Sequence, residues 1–107
     1  MKRVGMTWQV DPAHWEAYKQ IHLNPWPDLI REIQAVGIHN YSIFAFGTRV
    51  FAYMEIDGDD PYEALNRLAQ TDVKKLWDEQ VTVWVLPEAA EGTGIRFMEL
   101  PSIFYCP

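Results

Sequence analysis

Residues 38–56 read IHNYSIFAFGTRVFAYMEI. Two runs rich in β-branched and aromatic residues flank Gly47-Thr48, a spacing that predicts a β-hairpin. Its apolar residues fall on both faces. Tyr41, Ile43 and Ala45 alternate with Phe44 and Phe46; Val50, Ala52 and Met54 alternate with Phe51 and Tyr53. One layer of helices covers only one face of a sheet, so the other face calls for a different cover, and a second copy of the chain is the economical one.

Before the hairpin, RVGMTWQV alternates Val4, Met6, Trp8 and Val10 with smaller or polar residues, which predicts a strand. Asp11 and Pro12 then read as the cap and first position of a helix running to about Leu23. Pro25 and Pro27 enforce a break. A second helical piece, DLIREIQAVG, follows, with Gly37 as its cap. After the hairpin, Asp60 and Pro61 open another helix. Thr71 looks like the cap of a further one over DVKKLWDEQVTVW, PEAAEGTG is a loop, and IRFMELPSIFYCP holds the last strand and a tail. The order strand, helix, strand, strand, helix, strand is that of a ferredoxin-like α+β fold with an antiparallel sheet, in one domain over residues 1–107.

Composition narrows the function classes. Fifteen acidic against nine basic residues give a net charge of -6, which opposes binding to phosphate-rich nucleic acid or to anionic membranes. No apolar stretch is long enough to span a bilayer, and the N-terminus lacks the apolar segment of a signal peptide. The lone Cys106 leaves no internal disulfide, and a reducing cytoplasm is permitted. No nucleotide-binding glycine motif and no metal-ligand spacing occurs, so the chain supports neither a metal nor a cofactor. Aromatic residues at 14% exceed what a small core asks for, and neutral ligands such as sugars remain open.

Tyr18 and His22 stand at i and i+4, on one face of their helix, with Trp15 a turn earlier. Such a histidine is either a satisfied core residue or a proton carrier, and the pair alone favours the core. Trp26, held between two prolines, is either a corner plug or a rigid wall for a ring-shaped ligand. Tyr41 is either a cross-strand packing residue or a hydrogen-bond donor, and Trp77 taken alone reads as core. His39 and Tyr41 are expected on one face of their strand and Asn40 on the other, with His39 a surface residue. Histidine, tyrosines and tryptophan faces together suit proton transfer on a neutral, hydroxyl-rich ligand.

At these residues the chain resembles the L-rhamnose mutarotase family. The matching stretches are Tyr18 with His22, Trp26 to Leu29, Gly37 to Ile43, Thr71 to Val73 with Trp77, and Phe104 to Pro107. The resemblance covers nearly the whole chain. It implies a homodimer of the dimeric α/β-barrel type that interconverts the α and β anomers of a 6-deoxy sugar without a cofactor. It places the proton donor at His22, sugar-contacting tyrosines at Tyr18 and Tyr41, and the first of two tryptophans at Trp77. The second tryptophan position holds Asp78, and the Asn-Pro pair before Trp26 is shifted by one. Those departures bear on which monosaccharide is taken, L-rhamnose or another 6-deoxy hexose such as L-fucose. Two rivals stand beside this reading: a haem- or quinol-type monooxygenase on the same fold, and a sugar-binding module without turnover.

Overall fold

The computed structural model describes residues 1–88 and 96–107. Strand β1 (Lys2–Val10) leads through a 3-10 turn (Pro12–His14) into helix α1 (Trp15–Leu23) and then helix α2 (Pro27–Ala35). Strands β2 (Ile38–Phe46) and β3 (Arg49–Ile56) form the hairpin. Helices α3 (Pro61–Ala69) and α4 (Asp72–Gln80), a second 3-10 turn (Thr82–Trp84) and the short strands β4 (Val85–Leu86) and β5 (Met98–Leu100) complete the order. The sheet runs β2-β3-β1-β4, with β5 also on β1, and every pairing is antiparallel. This is the ferredoxin-like α+β arrangement, each crossover carrying two helices instead of one.

The caps explain the helix starts. Asp11 accepts the Ala13 amide and Asp60 the Tyr62 amide, each followed by a proline at the first helical position. Thr71 Oγ1 accepts the Lys74 amide at the head of α4. Past α2, Gly37 takes φ +89°, a left-handed conformation that a side chain rarely adopts, and closes the helix as expected. Between the hairpin strands, Gly47 takes φ +59° for the same reason.

Three local expectations need correction. The first turn after Asp11 is 3-10, and α1 begins only at Trp15. Helix α4 ends at Gln80; the β-branched Val81, Thr82 and Val83 do not favour its continuation, and Val85–Leu86 instead pair with Val10 and Gln9. The loop expected over PEAAEGTG falls mostly outside the described residues.

The third correction moves side chains. Pairing along β2 slips by one residue between His39 and Ser42, so Asn40 and Tyr41 together face Met54. Asn40 takes φ +50°, which asparagine tolerates better than most residues. Across this bulge, His39 shares the outer face with Glu55, while Tyr41 shares the helix-side face with Ile43. The two do not share a face as alternation predicts.

The helix side of the sheet holds the core. Val4, Trp8, Val10, Val50, Ala52, Met54 and Ile56 pack there against Tyr18, Leu29, Leu68 and Trp77. The opposite face leaves Phe44, Phe46, Phe51 and Leu100 exposed.

Candidate active site

Helix α1 ends at the two prolines, and its last turn sets His22 between Tyr18 of the same helix and Trp77 of α4. Its imidazole centroid is 4.2 Å from Tyr18 and 5.2 Å from Trp77, the latter edge-on. Trp77 in turn meets Trp26 edge-on at 5.1 Å. Trp26 caps α2 in an extended conformation, φ -68° and ψ 126°, with Pro27 as the first helical residue. The prolines thus hold the tryptophan where the sequence places it. Tyr18, His22, Trp26 and Trp77 form one cluster, built from α1, the corner and α4.

Tyr41 approaches from the sheet. It lies on the helix side of the edge strand, where the helical layer stops short: Tyr41 is 36% exposed and Ala45 is exposed as well. Its hydroxyl is nonetheless crowded. Desolvation first, then the Tyr18 and Asp78 charges, push its pKa well above the ordinary phenol value. Its ring is thus partly exposed while its hydroxyl feels the charges of Tyr18 and Asp78.

His22 Nδ1 lies 2.7 Å from the Tyr18 carbonyl oxygen. A carbonyl only accepts, so Nδ1 carries the proton, and the neutral ring keeps its lone pair on Nε2. Burial lowers the His22 pKa below 6.5, with the carbonyl bond acting in the opposite sense. At neutral pH this is therefore an uncharged imidazole with a free basic nitrogen. Tyr18 is 4% exposed, accepts the Trp8 indole N–H at 2.7 Å, and has its pKa pushed up to about 12, mainly by desolvation. It stays protonated throughout the working range and is a donor, not a base.

Asp78 completes the rim. Its Oδ1 accepts the Lys74 ammonium, one turn earlier on α4, and the Thr82 hydroxyl at 2.9 Å, from the 3-10 turn that follows α4. The carboxylate is one third exposed and bears on the Tyr41 hydroxyl. Trp8, Lys74 and Thr82 were not singled out by sequence pattern. Trp8 looks like any inward strand residue, and only the fold shows its indole N–H meeting Tyr18. His39 lies apart, paired with Asp57 at 2.9 Å on the outer side.

A recess of about 610 Å³ exists elsewhere, between the start of α2 and the α3–α4 junction, lined by Asp28, Arg31, Glu32 and Gln70 to Val73. It brings no aromatic ring beside its charged side chains, unlike the His22 cluster. Among the described residues no three His, Cys, Asp or Glu side chains are placed to hold a metal ion, and no helix is long and apolar enough to cross a membrane.

Fold and cluster together define a ferredoxin-like α+β protein with a half-buried histidine set among aromatic rings. The model of the L-rhamnose mutarotase family matches residues 3–106, and the chain belongs to that family. An L-rhamnose mutarotase of Shigella flexneri serotype 5b is 32% identical over the full length of both chains. The fold is also that of an L-rhamnose mutarotase from Formosa agariphila, with TM-score 0.77, 22% identity and complete coverage of both chains. A type-II polyketide cyclase from Streptomyces glaucescens shares it at TM-score 0.69, 20% identity and complete coverage.

Proposed function

We propose that the chain is a cytoplasmic, homodimeric isomerase that interconverts the α and β anomers of L-rhamnose, with His22 as its acid–base group. The observation that carries this reading is the fixed tautomer of His22: Nδ1–H is tied to the Tyr18 carbonyl, which leaves Nε2 as the unprotonated nitrogen of a ring set against Tyr18 and Trp77.

Mutarotation needs one proton taken from the anomeric hydroxyl and one placed on the ring oxygen. Both oxygens sit on C1, so a single nitrogen reaches either. Nε2 accepts the anomeric proton, the bond from C1 to the ring oxygen breaks, and the ring oxygen takes the proton back from Nε2–H. Rotation about C1–C2 turns the aldehyde over, and the reverse transfers close the ring on its other face. Atoms balance without a cofactor. General acid–base catalysis supplies roughly 10²–10⁴-fold, with more from holding the open chain in place. Tyr18 and Tyr41, protonated, donate to sugar oxygens. Trp26 and Trp77 face the C–H side and the C6 methyl.

A 6-deoxy hexose with differently disposed hydroxyls, such as L-fucose, is the second reading. Asp78, a carboxylate beside the Tyr41 hydroxyl, is the observation that favours it. The exposed phenylalanines of the outer face support the homodimer, and the exposed lone Cys106 suits a reducing compartment. Saturation-transfer NMR on the anomeric protons of L-rhamnose tests the activity. Protein-dependent transfer is expected. Binding without transfer points to a sugar-binding module, and a purified protein carrying a haem spectrum points to the monooxygenase class.

A further inference from the structure

Trp8 enters the core from the C-terminal end of β1, 4% exposed, with Phe97 edge-on to it at 5.1 Å. Its indole N–H reaches across to helix α1 and donates to the Tyr18 hydroxyl oxygen at 2.7 Å. An indole nitrogen donates and never accepts, so the direction of this bond is fixed. The Tyr18 oxygen is the acceptor, and its own proton has to go elsewhere. Among the described residues no acceptor takes it. Tyr18 lies against the His22 ring at 4.2 Å, and it is near enough to Tyr41 to raise the cost of ionising the Tyr41 hydroxyl.

We propose that Trp8 is a positioning residue for the sugar: its indole N–H occupies the Tyr18 oxygen and commits the Tyr18 proton outward, to an oxygen of the ligand. This rests on the reading of the His22 cluster as a sugar site. A phenol free to accept or donate would present either role to a hydroxyl-rich ligand, and several ring orientations would satisfy it. With Trp8 in place, one lone pair is taken and the hydroxyl acts mainly as a donor. The ligand atom that meets it must accept, which discriminates among orientations of the sugar. Donation to the ligand also makes the Tyr18 oxygen a stronger acceptor for the indole, so the two bonds reinforce each other.

A purely structural Trp8 would be satisfied by the same bond, but it would not couple to catalysis through Tyr18. The test is a double-mutant cycle on anomeric exchange of L-rhamnose with Trp8→Phe, Tyr18→Phe and the double variant, with His22→Ala alongside. Each single variant is expected to lose about 3- to 10-fold in exchange efficiency, the scale of one hydrogen bond, and the double variant no more than Tyr18→Phe alone. In ¹⁵N-labelled protein, the Trp8 indole N–H resonance should move upfield in Tyr18→Phe and downfield when L-rhamnose is added to the wild type. The resonance needs no Trp8 variant, so it decides the matter even if Trp8→Phe does not fold. Losses that multiply in the double variant, or an indole resonance unmoved by the sugar, overturn the inference while leaving the His22 site standing. A wild type without exchange, or one whose exchange survives His22→Ala, overturns the reading of the site and this inference with it.

Discussion

Replacing Trp77 by alanine separates a pocket wall from a keystone. The ring is 7% exposed, packs in the core with Trp8, Val81 and Val85, and holds His22 and Trp26 edge-on at 5.2 and 5.1 Å. Truncating a buried tryptophan costs about 3–5 kcal/mol, and each aromatic pair adds about 0.5–1.5 kcal/mol. A loss of about 4–8 kcal/mol competes with the whole stability of a domain this size, about 5–15 kcal/mol. Trp77→Ala is therefore expected to be unfolded or close to it. Trp77→Phe keeps a ring and fills most of the space, and should cost about 1–3 kcal/mol while loosening the support of His22. Urea unfolding followed by far-UV circular dichroism, beside anomeric exchange on the same samples, reads both. A Trp77→Ala protein as stable as the wild type, with exchange alone lost, would refute the keystone reasoning and make Trp77 a ligand contact only.

The pH profile follows from His22. Its pKa is lowered, so the neutral base form persists below pH 6.5; exchange should rise through a midpoint under 6.5 and stay level above it, and a midpoint above 6.5 would contradict the burial argument. By linkage, a depressed histidine contributes stability that is full above 6.5 and lost as pH falls through the folded-state pKa, and this slope should flatten in His22→Gln, measured by urea titration across pH. Asp78→Asn should lower the Tyr41 pKa toward the ordinary value and change the ratio of L-fucose to L-rhamnose exchange by about 2- to 10-fold, one hydrogen bond's worth; equal losses for both sugars would remove Asp78 from sugar selection. The wild type should sediment as a dimer, and Phe44→Glu, at a side chain already exposed in the single chain, should sediment at 12.5 kDa; a wild type already at 12.5 kDa would contradict the covered outer face.

The hairpin, the strand β1 and the starts of α3 and α4 are legible because each rests on local chemistry. Alternation marks the strands, and an aspartate or threonine followed by helix formers marks the caps. The pairing of Tyr18 with His22 is legible for the same reason, since i and i+4 on a helix must meet. What escapes is whatever depends on register or on distant segments. The bulge at Asn40 breaks strict alternation and sends His39 and Tyr41 to opposite faces; an asparagine inside a β-rich run is its only sequence signal. The end of α4 was hidden because QVTVW continues an apolar pattern, and the pairing of Val85–Leu86 with β1 is a tertiary choice. The meeting of Trp77 with Trp26, and of Trp8 with Tyr18, joins residues that are far apart in the chain, and no spacing rule anticipates it.

The central claim is that His22 carries the proton, and the most direct measurement is anomeric exchange of L-rhamnose by His22→Ala, with thermal unfolding recorded on the same preparation. The ring is only partly buried, so its removal should cost stability within the ordinary single-site range, on the order of 1–2 kcal/mol. Loss of the acid–base group should reduce exchange by about 10²-fold or more. A folded His22→Ala protein with that loss is the predicted result. A variant that exchanges within a few-fold of the wild type, or whose loss merely follows its unfolded fraction, would contradict the account.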